Sequence, residues 1–71
     1  MSEQPLDISI FGDGMMTVYQ VCSELKASRA FVYRLMSTGE LGFVEMGRAR
    51  RIPRQAMLEY LAANYRPGNR A

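Results

Sequence analysis

Histidine is absent from these 71 residues, and cysteine occurs once, as Cys22. A single thiol closes no internal disulfide. Without histidine, no zinc site of the usual Cys/His kind can be assembled. The same absence removes the commonest general acid and base at neutral pH. The carboxylates stand singly rather than in pairs, so neither a catalytic site nor a cofactor is expected. No apolar run approaches the roughly 20 residues that a membrane helix needs. The N-terminus has neither the basic region nor the apolar stretch of a signal peptide. An unpaired thiol suits a reducing cytoplasm better than a secretory route. The expectation is a cytoplasmic protein that is not an enzyme and has no membrane segment.

A chain this short holds one domain, and near 60 residues a domain buries only about 60% of its unfolded surface. Stability must come from a small apolar core, helped by a partner or by self-association. The formal net charge of +2 is modest, but it is unevenly spread. Residues 1–25 carry Glu3, Asp7, Asp13 and Glu24 with no Lys or Arg, a charge of −4. Residues 26–54 set Lys26, Arg29, Arg34, Arg48, Arg50, Arg51 and Arg54 against Glu40 and Glu45, a charge of +5. A basic block behind an acidic end is the footprint of a chain that approaches phosphates with one face.

Pro5, Gly12 and Gly14 punctuate residues 1–14, which read as a leader. Leu6, Ile8 and Ile10 alternate, so the leader is either a strand on a sheet edge or a partly ordered tail. A first helix opens at Thr17, because T-V-Y-Q is a capping-box pattern with Thr17 as N-cap and Gln20 three residues on. Val18, Val21, Cys22 and Leu25 form its apolar stripe, which makes Cys22 a core residue rather than a nucleophile. After a short turn at Lys26-Ala27, Ser28 caps a second helix that runs to Thr38 and stops at Gly39. Val32, Leu35 and Met36 are its buried side. Ala30, Arg34 and Ser37 face the other way, with Phe31 and Tyr33 on the flanks. Two helices joined so tightly, the second with an Arg-bearing outer face, are the sequence form of a helix-turn-helix.

Residues 41–46 alternate as a strand, with Val44 and Met46 on one side. Gly47 permits the positive φ of a tight turn. The returning arm is short and ends at Pro53, which cannot donate to a ladder. The hairpin carries three arginines at or just beyond its tip. Pro53 then opens a third helix, whose predicted buried stripe is Met57, Leu58, Leu61, Ala62 and Tyr65. Met36, Met46 and Met57 read as core, and Met15 and Met16 as a staple between leader and first helix. Pro67 and Gly68 end the helix, and residues 66–71 read as a flexible basic tail.

The stretches T-V-Y-Q-V-C-S-E-L, S-R-A-F-V-Y-R-L-M-S-T-G-E-L and G-R-A-R-R-I-P-R-Q-A-M-L-E-Y-L resemble the small winged-helix domain of phage and plasmid excisionases. More widely, they are similar to MerR-type and AlpA-like DNA-binding domains. The resemblance spans residues 15–65 and implies a mainly α winged helix-turn-helix, three helices plus a β-hairpin wing. It implies a second helix in the major groove of double-stranded DNA and a wing on the backbone or in the minor groove. Ser28, Arg29, Tyr33 and Arg34 match the family's recognition helix; Gly47, Arg48 and Arg51 match its wing. Excisionases bind attachment-site DNA, often cooperatively and with bending, and direct an integrase toward excision. Phe31, Gly42 and Glu45 depart from the family, which often has a small polar residue, a proline and a basic residue at these places.

Each candidate contact carries its own chemistry. Arg34 reaches guanine O6/N7 or a phosphate, the former worth about 1–3 kcal/mol of discrimination. Arg29, in the first turn, contacts phosphate or base, and Ala30 lies on the same outer face. Ser28 caps the helix and turns its N-terminus toward a phosphate. Tyr33 either donates its hydroxyl to a phosphate or only packs. Phe31 meets a thymine methyl, a partner protein, or helix 1 or the wing, with packing favoured. Arg48 suits a narrow minor groove. Arg50 and Arg51 alternate in side along a strand, and Arg50 either contacts phosphate or pairs with Glu45. Lys26 is a phosphate neighbour. Two other readings stay open: an AlpA-like transcriptional regulator using the same surface, and a protein-interaction module using the leader or the tail of the third helix.

Overall fold

The computed structural model describes residues 8–68. Leu6 and the last residues of the basic tail lie outside the described residues. The elements follow as a 3₁₀ turn (Ile8–Phe11), β1 (Met15–Thr17), α1 (Val18–Leu25), α2 (Arg29–Thr38), β2 (Val44–Met46), β3 (Ala49–Pro53) and α3 (Arg54–Asn64). Three helices and a small antiparallel sheet with a protruding hairpin make a winged helix-turn-helix.

Local chemistry sets the helix ends. The Thr17 hydroxyl accepts from the Gln20 N–H at 3.0 Å, and the Gln20 side-chain oxygen accepts from the Thr17 N–H at 2.9 Å. Two donors that a helix start leaves orphaned are thus satisfied reciprocally. Lys26 closes α1 in the left-handed region, with φ 54°, and the Ala27 N–H donates back to the Cys22 carbonyl at 3.0 Å. This sharp reversal delivers Ser28, whose Oγ accepts from the Phe31 N–H at 3.1 Å and caps α2. Gly39, with φ 85°, ends α2 where a side chain would be strained.

The buried core is one cluster: Met16, Val18, Val21, Val32, Leu35, Met36, Leu41, Ile52, Ala56 and Met57. Cys22 and Leu25 pack against it from α1, half-buried. α1 lies against α2 and both strands of the sheet's inner half, which fixes α2 with Ala30, Arg34 and Ser37 outward.

Several expectations need correction. The leader's strand does not form at Ile8 and Ile10, which lie in the 3₁₀ turn packed on α3. The strand is Met15–Thr17 instead, entered through Gly14 at φ 95°. Met16 is buried within it, while Met15 lies on its exposed side. The returning arm of the hairpin, expected to be short, runs over five residues. It is the longest strand and the sheet's centre, in the order β1-β3-β2. Met16 pairs with Ile52 on one side of it, and Glu45 with Arg50 on the other. Pro53 sits at its end, where no further ladder bond is needed from its nitrogen, and the Arg54 N–H takes over, donating to the Gly14 carbonyl at 3.0 Å.

Met46 is 55% exposed rather than core, because it ends β2 at the tip of the wing, beyond the packed body. The stripe on α3 is also misplaced. Met57 is buried as expected, but its neighbours in the core are Ala56 and half-buried Tyr60. Leu58, Leu61 and Tyr65 are 43%, 41% and 71% exposed, and Ala62 is exposed too. Apolar residues occupy two sides of this helix, at spacings that both suit a helical stripe. The direction in which β3 launches the helix decides which side is covered.

Candidate DNA-binding surface

The tight α1–α2 turn and the two-residue hairpin turn hold the basic block out from the core. Lys26 is exposed in the first of these turns. Arg29, Ala30 and Arg34 are exposed on α2, with Tyr33 half-buried beside them. Ser28 is exposed and engaged as the N-cap. Helical spacing places an aromatic ring beside each arginine of α2. The guanidinium carbon of Arg29 is 5.4 Å from the centre of the Tyr33 ring, and that of Arg34 is 5.1 Å from the centre of Phe31. Both distances lie within the range of cation–π attraction, worth about 0.5–1 kcal/mol at exposed sites.

At the wing tip, Gly47 has φ 64° and is followed by Arg48, which is exposed. A two-residue loop with positive φ at its first position alone is the type II′ arrangement, which asks for glycine there. Arg48 makes no hydrogen bond, ion pair or ring contact among the described residues. Arg51 is half-buried and donates to the Arg50 carbonyl at 3.0 Å. Arg50 behaves differently from both. Its guanidinium carbon lies 5.4 Å from the Tyr33 ring centre and 4.7 Å from that of Phe43. Its distance to the Glu45 carboxylate is 4.0 Å, the outer limit of an ion pair.

The Arg50–Tyr33 approach brings the wing against α2, so that Arg29 of α2 and Arg50 of the wing meet at one ring. Two participants escaped the sequence reading. Phe43 stands two residues before Glu45, the residue paired with Arg50, which makes it the diagonal cross-strand neighbour of Arg50; that hairpin register was the available signal. Phe31, read mainly as packing, does pack on the core, and it also underlies Arg34; the i, i+3 spacing was the available signal. Among the described residues, no cluster of three or more His, Cys, Asp or Glu forms. No helix among them is long and apolar enough to cross a membrane.

Comparison with known proteins agrees with this architecture. The family described as "Helix-turn-helix domain" matches residues 15–65, the segment from β1 to the end of α3. A protein of Saccharopolyspora erythraea described as "Probable excisionase" is 40% identical over 48 residues. That match takes in 68% of this chain and spans about half, 49%, of the relative's length. No solved structure matches. A basic, winged domain of this kind points to DNA as its partner. The chain belongs to the helix-turn-helix domain family, as a winged, excisionase-like member of it.

Proposed function

We propose that this chain is a sequence-specific excisionase, an architectural protein of the bacterial cytoplasm with no catalytic role of its own. It lays α2 in the major groove of attachment-site DNA, where Arg34 and Arg29 read base edges or phosphates beside Ala30. Ser28, Lys26 and the Tyr33 hydroxyl hold the backbone. Arg48 and Arg51 carry the wing onto the adjacent backbone or minor groove. Copies bind cooperatively and bend the site, and the assembly directs an integrase toward excision of a phage or other mobile element.

The observation that carries this reading is the contact of wing Arg50 with Tyr33 of α2, with Arg29, Arg34 and Arg48 exposed on the two elements and only Glu45 as an acidic neighbour on the wing. The likeness to a probable excisionase supports the choice of excision over other uses of that surface. The exposed Leu58, Leu61 and Tyr65 of α3 support a protein contact in the assembly, as an integrase or a second copy would make.

The test is footprinting on attachment-site and promoter duplexes, together with an excision assay containing the cognate integrase. Protection of attachment-site DNA with stimulated excision is expected. Protection of a promoter alone, without any stimulation, would assign the chain to transcriptional regulation of the AlpA-like kind. No binding to any duplex at low salt would leave a protein-interaction module.

A further inference from the structure

Four side chains from three parts of the chain alternate between guanidinium and ring: Arg29 and Tyr33 on α2, Arg50 on β3, and Phe43 just before β2. Tyr33 has a guanidinium carbon 5.4 Å from its centre on behalf of each of Arg29 and Arg50. Arg50 in turn approaches Phe43 at 4.7 Å, the shortest cation–ring distance in the described residues. Its side chain is 33% exposed, whereas Arg48 at the wing tip stands in solvent. A guanidinium that meets rings from two elements has little freedom to extend toward a phosphate. Planar and weakly hydrated, it is the cation best suited to such a place, which a compact ammonium fills poorly.

The wing needs a brace of this kind. β2 has three residues and forms the outer edge of the hairpin, and so short a ladder holds its angle weakly. The distance from α2 to the wing tip determines whether both can meet DNA at once.

We propose that Arg50 is a positioning residue: held between Tyr33 of α2 and Phe43 at the root of the wing, it sets the wing's angle to α2 and does not itself touch DNA. This inference rests on the DNA-binding reading above. Phe43 acts with it, although Phe43 is no part of the DNA surface.

The test uses the full chain and a duplex that the wild-type protein selects from a random-sequence pool. Affinities are measured for Arg50→Met, Arg50→Lys and Phe43→Leu, each alone and combined with Arg48→Ala. All three single variants are expected to weaken binding by about three- to tenfold, the worth of one or two cation–ring contacts. In the Arg48→Ala background the further loss should be clearly smaller than in the wild-type background, since one of the wing's two contacts is gone and only that of Arg51 is left to misplace. Thermal unfolding checks that each variant is folded at the assay temperature. In the free protein, proton resonances of the Arg50 side chain should be shifted upfield by the rings, and Phe43→Leu should diminish that shift.

Additive losses with Arg48→Ala, or full affinity in Arg50→Lys, would overturn the proposal and make Arg50 a direct phosphate ligand. Unshifted Arg50 resonances in the free protein would remove the brace itself. Failure of the wild-type chain to select any duplex is a different result: it rejects DNA binding before any variant is compared.

Discussion

Arg34 stands over the ring of Phe31, three residues earlier on α2, with its guanidinium carbon 5.1 Å from the ring centre. The contact costs the arginine part of its rotamer freedom before any partner arrives. A guanidinium already oriented loses less entropy on forming a bidentate contact, which is where Arg excels over Lys. Arg34→Ala is therefore expected to reduce discrimination between the selected site and random duplex by about 1–3 kcal/mol. Competition binding with the two duplexes measures this. Equal losses on both would show that Arg34 holds phosphate and reads no base.

Arg48 offers a different signature. It has no partner among the described residues, so its removal disturbs nothing in the fold. Arg48→Ala should leave the unfolding midpoint unchanged and lower affinity for every duplex. If it neutralises one phosphate, the slope of log affinity against log salt should fall by about 0.9. An unchanged slope would place the side chain away from the backbone.

Lys26 occupies a conformation better suited to glycine, with φ 54° at the end of α1. For a residue with a Cβ, the left-handed region costs about 1–2 kcal/mol. Glycine pays back about 0.5–1 kcal/mol of this through the freedom it loses on folding. Lys26→Gly should thus stabilise the domain by up to about 1 kcal/mol, raising the melting temperature by several degrees. Calorimetry reads that gain, and DNA titration of the same variant reads whether the lysine's charge matters to binding.

Ile52 and Leu61 test which residues the fold buries. Ile52 is fully buried in the central strand, so Ile52→Ala should cost about 2–5 kcal/mol. Leu61 is 41% exposed on α3, so Leu61→Gln should change stability by no more than about 0.5 kcal/mol. Urea unfolding compares them directly. A large loss at Leu61 would mean that this face of α3 is covered in solution.

The features legible in the sequence are those whose causes lie a few residues apart. The caps at Thr17 and Ser28, the stop at Gly39 and the turn at Gly47 each depend on a short spacing. The buried sides of α1 and α2 followed because their apolar residues form a single stripe. β1 was not legible, since Met15–Thr17 merges into the start of α1 and its partner strand lies far along the chain. The buried face of α3 was not legible either. Leu58 and Leu61 are as well spaced as Met57 and Tyr60, and only tertiary placement chooses between them. Within the candidate surface, Arg29, Arg34 and Arg48 could be named by residue type and outward position. The place of Phe43 beside Arg50 follows from the hairpin register, but the approach of Arg50 to Tyr33 could not be read, because it depends on how the hairpin folds back onto α2.

The double pairing of β3 has a consequence for how such proteins diverge. Its register is held on the β1 side by Met16 opposite Ile52, independently of the hairpin turn. Residues can therefore be inserted or exchanged around Gly47 and Arg48 without shifting Ile52 in the core. The tip is free to vary in length and charge while the body stays constant. Preference for flanking DNA can drift from one target to another under selection that the core never feels.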